Sequence, residues 1–158
     1  MRVWLNLHKA CISDAKNSTW HVVTHELPPT NESLAAINLT DTKQCTLCGA
    51  INTLQHRITR CLEGRVIWTW VRARIAAITR TNPQYIPEEW TLRPDFLFGT
   101  LPKQAALVCL LAHLVEYRMQ DQRRLSLQDY TDFMRRTPWK AYLRPTRRLA
   151  VGNYLDVL

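Results

Sequence analysis

The 158-residue chain lacks the short motifs on which several large enzyme classes depend. It contains no Asp-Asp pair, the usual means by which a polymerase holds its two metal ions. It also has no glycine-rich phosphate loop, no dinucleotide-binding fingerprint and no nucleophile elbow. We therefore expect no polymerase site and no nuclease site in this chain, and a function that is not catalytic.

Long apolar segments are missing as well. The longest uninterrupted apolar run, residues 105–112, has eight residues and is far too short to cross a bilayer. The first residues lack both the apolar stretch and the small-residue cleavage site of a secretory leader. These features predict a protein without a membrane segment that works inside the cell, in the nucleus or in a cytoplasmic ribonucleoprotein.

Acidic residues are scarce relative to basic ones. The 21 lysines and arginines exceed the 13 acids, which gives a net charge of +8 and an isoelectric point near 9.6. Most of the excess follows Cys61, and residues 135–148 contain no acid while Trp139 and Tyr142 interrupt their basic residues. We predict that this basic stretch binds RNA or DNA through Arg135, Arg136, Lys140, Arg144, Arg147 and Arg148. A solvated helical face is the alternative interpretation.

The five cysteines are an odd number, which does not favour a disulfide framework. Three of them join one histidine in the pattern Cys-x2-Cys-x7-His-x4-Cys, formed by Cys45, Cys48, His56 and Cys61. Zinc prefers such thiolate and imidazole ligands, and four protein ligands leave no open position for an activated water. The pattern predicts a structural Zn²⁺ site, with buried reduced cysteines and a surface histidine as the alternative. His21 and His25 share a helical face, but no third ligand follows them at helical spacing.

Around these ligands the chain resembles a known family, the zinc-binding (CCHC) segment behind the polymerase in reverse transcriptases of non-LTR (LINE-like) retrotransposons. The resemblance covers roughly residues 15–75 and departs from the family at Asn52, where the family usually has an acid. It rests on Cys45-Thr46-Leu47-Cys48-Gly49, Asn52-Thr53-Leu54-Gln55-His56, Cys61 and Val66-Ile67-Trp68. It implies a detached C-terminal module of a reverse transcriptase that binds nucleic acid, with the rest of that enzyme as a further partner.

Two other functions remain open. The chain could be a structural or protein-interaction module, since nothing in the ligand pattern requires a nucleic acid. Some elements of this family carry a restriction-like endonuclease behind the finger, and Pro94-Asp95 resembles the start of that nuclease motif. The next carboxylate after Asp95 is Glu116, however, so the convergent acids of a metal-dependent nuclease are missing, and at most a degenerate nuclease fragment is indicated.

The hydrophobic pattern predicts a mainly α fold: a small zinc-stapled helical finger followed by a helical C-terminal region. We place a helical lead-in and the finger in residues 1–61 and a basic helical region packed on it in residues 62–158. Two apolar faces are predicted before the last helices. One consists of Leu34, Ile37 and Leu39, and the other consists of Val66, Trp70, Val71, Ile75 and Ile78. Later helices are expected over 101–125 and from a cap at Ser126 to about Thr137.

Overall fold

The computed structural model describes residues 21–23, 25, 28–93, 101–119 and 126–137. Four helices dominate them: α1 (Asn31–Ala36), α2 (Arg65–Thr79), α3 (Leu101–Met119) and α4 (Leu127–Arg136). Short helical turns lie at His56–Arg60, Leu62–Gly64, Pro83–Tyr85 and Glu88–Thr91. Over the described ranges, extended pairing is limited to one antiparallel bridge between Gln44 and Ile51. The predicted mainly α fold, with a Cys/His cluster ahead of the long helices, is confirmed.

Side-chain caps start two of these helices, and the cap at Ser126 is the predicted one. The Thr30 hydroxyl accepts a hydrogen bond from the backbone N–H of Ser33, and the Ser33 hydroxyl accepts one from the N–H of Thr30. Ser126 accepts in the same way from the N–H of Asp129, at 3.0 Å. Each cap satisfies a backbone donor that the first helical turn would otherwise leave unpaired.

Helix α3 forms the centre of the molecule. All ten residues from Ala106 to Val115 are buried, so the helix is covered on every side. A helix that is apolar around its whole circumference is expected to be buried in this way. Cys109 lies among these residues as a small apolar side chain, as predicted. The predicted continuation of this helix to Leu125 lies outside the described residues.

Helix α2 packs against α3 with most of the predicted face. Val71 and Ile75 are fully buried, and Trp70 and Ile78 are partly buried against the same core. Val66 is 49% exposed, so its place in the predicted stripe is wrong. Val66 lies five residues before Val71, and five residues rotate an α-helix by about 140° from the buried side. Its neighbour Ile67 is fully buried instead.

The predicted apolar face of α1 is also wrong at two of its three positions. Ile37 and Leu39 are 63% and 71% exposed. The helix stops at Ala36 and Asn38 takes a left-handed conformation (φ 58°), which turns the chain before either side chain reaches the core. Leu34, inside the helix, is half-buried.

Candidate metal centre

The first two predicted ligands are held by a tight turn. The carbonyl of Cys45 accepts a hydrogen bond from the N–H of Gly49 at 2.9 Å, and the N–H of Cys45 donates to the carbonyl of Ala50 at 2.6 Å. Gly49 has a φ of +76°, a conformation that side-chain-bearing residues rarely adopt. The turn brings the Cys45 and Cys48 thiols together, as their spacing predicts.

The other two ligands are held by a wide helical turn. The Thr53 hydroxyl accepts a hydrogen bond from the N–H of His56 at 3.0 Å and starts the turn. Residues His56–Arg60 then form a π-helical turn, closed by the Cys61 N–H donating to the His56 carbonyl at 2.9 Å. Residues five apart on an α-helix diverge by about 140°, whereas the i→i+5 bond of a π-turn brings them to the same side. This turn is therefore what aims His56 and Cys61 at one point.

The four side chains converge. Their ligand atoms all lie within 4.8 Å of one another. The Cys45 and Cys61 sulfurs are 3.9 Å apart, the Cys48 and Cys61 sulfurs are 3.9 Å apart, and the Cys48 sulfur lies 3.3 Å from His56 Nε2. Within the described residues this is the one group of three or more Cys, His, Asp or Glu side chains able to hold a metal ion. None of the four cysteines that the structure describes, Cys45, Cys48, Cys61 and Cys109, forms a disulfide bond.

The surroundings favour the protonation states of metal ligands at some positions. Burial lowers the pKa of His56, and the nearby charge of Arg118 lowers it further, so the neutral imidazole that binds metals is favoured. Hydrogen bonding, first from the backbone of Ala50, lowers the pKa of Cys48. Burial raises the pKa of Cys61, so its thiolate needs a compensating positive charge.

Arg118, at the end of α3, is a residue near the cluster that sequence reasoning missed. Its side chain is 2% exposed, and its guanidinium lies against Gly64, three residues after Cys61. Its Nε donates to the carbonyl of Arg57 at 2.7 Å, and Arg57 Nε donates back to the carbonyl of Arg118 at 3.1 Å. Arg118 lies 57 positions after Cys61, and no spacing rule connects residues so far apart.

Asn52, which stands where the resemblance expects an acid, lies behind the cluster rather than in it. Its side chain is 3% exposed, and its backbone N–H donates to the carbonyl of Lys43 at 2.9 Å. Its carbonyl accepts from the N–H of Glu32 at 3.5 Å. Asn52 thus links the cysteine turn to the start of α1.

The structure describes only two of the six predicted nucleic-acid-binding residues. Arg135 and Arg136 are exposed near the end of α4, and Arg135 Nη1 lies 2.8 Å from Asp132 Oδ1. Arg136 Nε donates to the carbonyl of Asp132 at 3.3 Å. Lys140, Arg144, Arg147 and Arg148 lie outside the described residues. The basic stretch therefore stays a prediction.

A further basic face runs along α2. Arg65 and Arg80 are exposed at its two ends, and Thr69, Ala73 and Ala77 are exposed between them. The helix contains no acidic residue.

In comparisons with known proteins, no protein-family model, no curated protein and no solved structure matches the chain. Across the helices that the structure describes, none is both long enough and apolar enough to cross a membrane.

Proposed function

We propose that the cluster of Cys45, Cys48, His56 and Cys61 holds one structural Zn²⁺. The observation that carries this is its geometry. Ideal zinc bond lengths place the sulfurs of a tetrahedral site roughly 3.8 Å apart and a sulfur and a nitrogen roughly 3.5 Å apart. The measured separations, 3.9 Å for two sulfur pairs and 3.3 Å for sulfur to nitrogen, are close to these values. Four protein ligands fill the coordination sphere, which is typical of a structural site.

The whole chain, in this proposal, is a non-catalytic nucleic-acid-binding module from the C-terminal end of a LINE-like reverse transcriptase. Its support is the ligand pattern with its flanking residues, the net charge of +8 and the acid-free arginine face of α2. Arginine suits this role because its planar guanidinium pairs well with phosphate oxygens. The residues from Arg135 to Arg148 would add the larger share of phosphate contacts.

A structural or protein-interaction module is the second candidate. The observation that favours it is a set of exposed large apolar side chains on and near the finger: Ile37, Leu39, Ile51, Leu62 and Val66. Leu62 lies in the short turn before α2 and Val66 lies in the first turn of α2, so both exposed side chains are near the start of that helix. An interface built on such residues would depend little on salt, whereas phosphate binding weakens steeply as salt rises.

Metal analysis of the purified full chain, coupled to binding titrations of single-stranded RNA and DNA at two salt concentrations, tests both parts of the proposal. We expect one zinc per chain and a binding constant that falls steeply with salt. Cys48→Ser should lose the stoichiometric zinc and unfold the finger, because metal-binding free energy is folding free energy in small modules. Cys109→Ala, which removes a buried thiol outside the cluster, is the matched control and should keep the zinc.

The double variant Arg147→Ala, Arg148→Ala should flatten the salt slope by about one unit per lost phosphate contact and leave the fold intact. The double variant Lys43→Ala, Arg60→Ala removes the same net charge near the finger and serves as its control. Equal losses of affinity and salt slope in both variants would mean that the overall charge of the chain is responsible, and not these two arginines. An unchanged affinity and slope in the first variant would favour the interaction module.

A further inference from the structure

Arg118 occupies an unusual position for a cation. Its guanidinium lies beneath the Leu62–Gly64 turn, where a Cβ on Gly64 would come within 3.1 Å of its central carbon. One of its donors pairs with the Arg57 carbonyl, but among the described residues its buried Nη1 has no hydrogen-bond partner. Burying a charge is costly unless an opposite charge compensates it.

The proposed zinc site supplies that opposite charge. Three thiolates and a neutral imidazole around Zn²⁺ carry a net charge of −1, and two of the thiolates, those of Cys45 and Cys61, are buried. Arg118 is buried as well, with its guanidinium at Gly64, three residues after Cys61. The anion and the cation therefore reduce each other's desolvation cost, and neither has that benefit when the thiols are protonated and the metal is gone.

We propose, building on the zinc site proposed above, that Arg118 is a positioning residue for the metal centre: it orients the Cys61 thiolate, neutralises the charged site and couples metal binding to the docking of α3. Residues that hydrogen-bond to metal ligands orient them and tune their affinity for the metal. Arg118 does this from a helix that contributes no ligand. The metal centre then depends on the helical body as well as on its own 17-residue segment.

Arg57 offers a matched comparison. Its guanidinium makes three hydrogen bonds to backbone carbonyls: Nε to Arg118, Nη2 to Met119 at 3.2 Å and Nη1 to Pro29 at 3.0 Å. It therefore ties the finger to the end of α3, as the bond from Arg118 to the Arg57 carbonyl also does. Loss of Arg57 would loosen the same junction and leave the Arg118 guanidinium in place at Gly64.

Zinc affinity of the full chain, measured by competition with a chromogenic chelator, tests the proposal. Arg118→Met should weaken zinc binding about 10- to 100-fold, the range for residues that support metal ligands. Arg118→Lys keeps the charge and should restore part of the lost zinc affinity. The zinc affinity of Arg57→Met should stay within about threefold of the wild-type value, which is a much smaller change than that expected for Arg118→Met. The thiolate-to-metal absorption of the Co²⁺-substituted protein should shift for Arg118→Met and remain unchanged for Arg57→Met.

Gly64→Ala keeps the proposal testable if Arg118→Met fails to fold. Gly64 has an ordinary backbone conformation, so the added methyl displaces the guanidinium without straining the chain. A weaker zinc affinity and a shifted Co²⁺ spectrum are expected. Wild-type zinc affinity in the folded variants, or equal losses of zinc affinity for Arg118→Met and Arg57→Met, would overturn the role of Arg118 but not the zinc site. A wild-type chain that binds no zinc would overturn the metal site and this role with it.

Discussion

At the residue scale, several buried polar atoms have no hydrogen-bond partner among the described residues. They include Asn52 Oδ1 and Arg118 Nη1 near the metal cluster, and Trp68 Nε1 and the Tyr130 hydroxyl in the helical core. A buried polar atom without a partner costs roughly 1–3 kcal/mol. Near the cluster, the proposed metal site offsets this cost. In the helical core nothing comparable compensates, so these atoms lower stability.

Tyr130 gives a prediction at this scale. Its side chain is fully buried, which raises the pKa of its hydroxyl, and its ring meets Trp70 and Tyr117 edge-on at centroid distances of 5.8 and 5.2 Å. Tyr130→Phe removes the unpaired hydroxyl and keeps both ring contacts. We expect the free energy of unfolding to stay unchanged or rise by up to about 1 kcal/mol in chemical denaturation.

The control for this prediction is Tyr130→Leu, which also removes the ring. We expect it to cost about 2–4 kcal/mol, through a cavity and two lost aromatic contacts. A loss of more than about 1 kcal/mol in Tyr130→Phe would mean that the hydroxyl has a hydrogen-bond partner after all.

At the element scale, the starts and ends of the helices are built differently. Thr30, Thr53, Asn82 and Ser126 each accept a hydrogen bond from a backbone N–H at the start of a helix or turn. Two non-glycine residues, Asn38 and Arg80, take left-handed conformations at helix ends. Asparagine tolerates that conformation, whereas in arginine the Cβ comes too close to the following carbonyl oxygen, which is destabilising. The left-handed Arg80 therefore destabilises the end of α2.

Arg80→Gly should relieve that strain. Arg80 has a φ of 57°, and its N–H donates to the carbonyl of Ala76. Glycine keeps the bond and loses the Cβ clash, so we expect a gain of about 1 kcal/mol. For a chain of this size that corresponds to a rise of roughly 2–4 °C in the melting temperature, measured by circular dichroism. Arg80→Ala removes the same charge but keeps the Cβ. A matching rise in that variant would show that charge, and not strain, is responsible.

At the scale of the whole molecule, the finger and the helices share one core. A single cluster of buried residues includes Leu54 and Ile58 beside the metal cluster, Ile67 and Val71 of α2, and Tyr130 of α4. The paired hydrogen bonds of Arg57 and Arg118 add polar contacts across the same junction. The finger therefore packs on the helical body and shares its core, instead of being joined to it only by the chain. The boundary at residue 61 stays a prediction about how the chain is organised.

A prediction at this scale separates one cooperative unit from two. Removal of the metal with a chelator should lower the melting temperature of the entire chain and leave a single transition, since the finger contributes to the shared core. Far-UV circular dichroism follows the helices, and tryptophan fluorescence reports on the six tryptophans of the chain, of which Trp68 is buried in the core. The melting curve from circular dichroism should coincide with the one from fluorescence, both for the metal-bound chain and for the metal-free chain. Two separate transitions, of which only one responds to the chelator, would mean that the finger and the helical region unfold independently.

The sequence by itself determined the local features of this protein. The four cluster residues lie within 17 positions, and the Cys45–Cys48 turn, the glycine at its end and the Thr53 cap follow from short-range stereochemistry. The helical class and the caps at Thr30 and Ser126 were predictable for the same reason. Each depends on atoms only a few bonds or one turn apart, and residue type at a given spacing largely fixes their geometry.

Tertiary structure decided the rest. Whether Val66 faces the core depends on which side of α2 meets α3, and the exposure of Ile37 depends on where α1 stops. The π-helical turn that aligns His56 with Cys61 forms where the finger packs on α3. Arg118 reaches Cys61 across 57 positions of sequence because two packed elements bring them together. The periodicity of apolar residues indicates which residues share a helix face, but the packing of the whole chain determines what that face contacts.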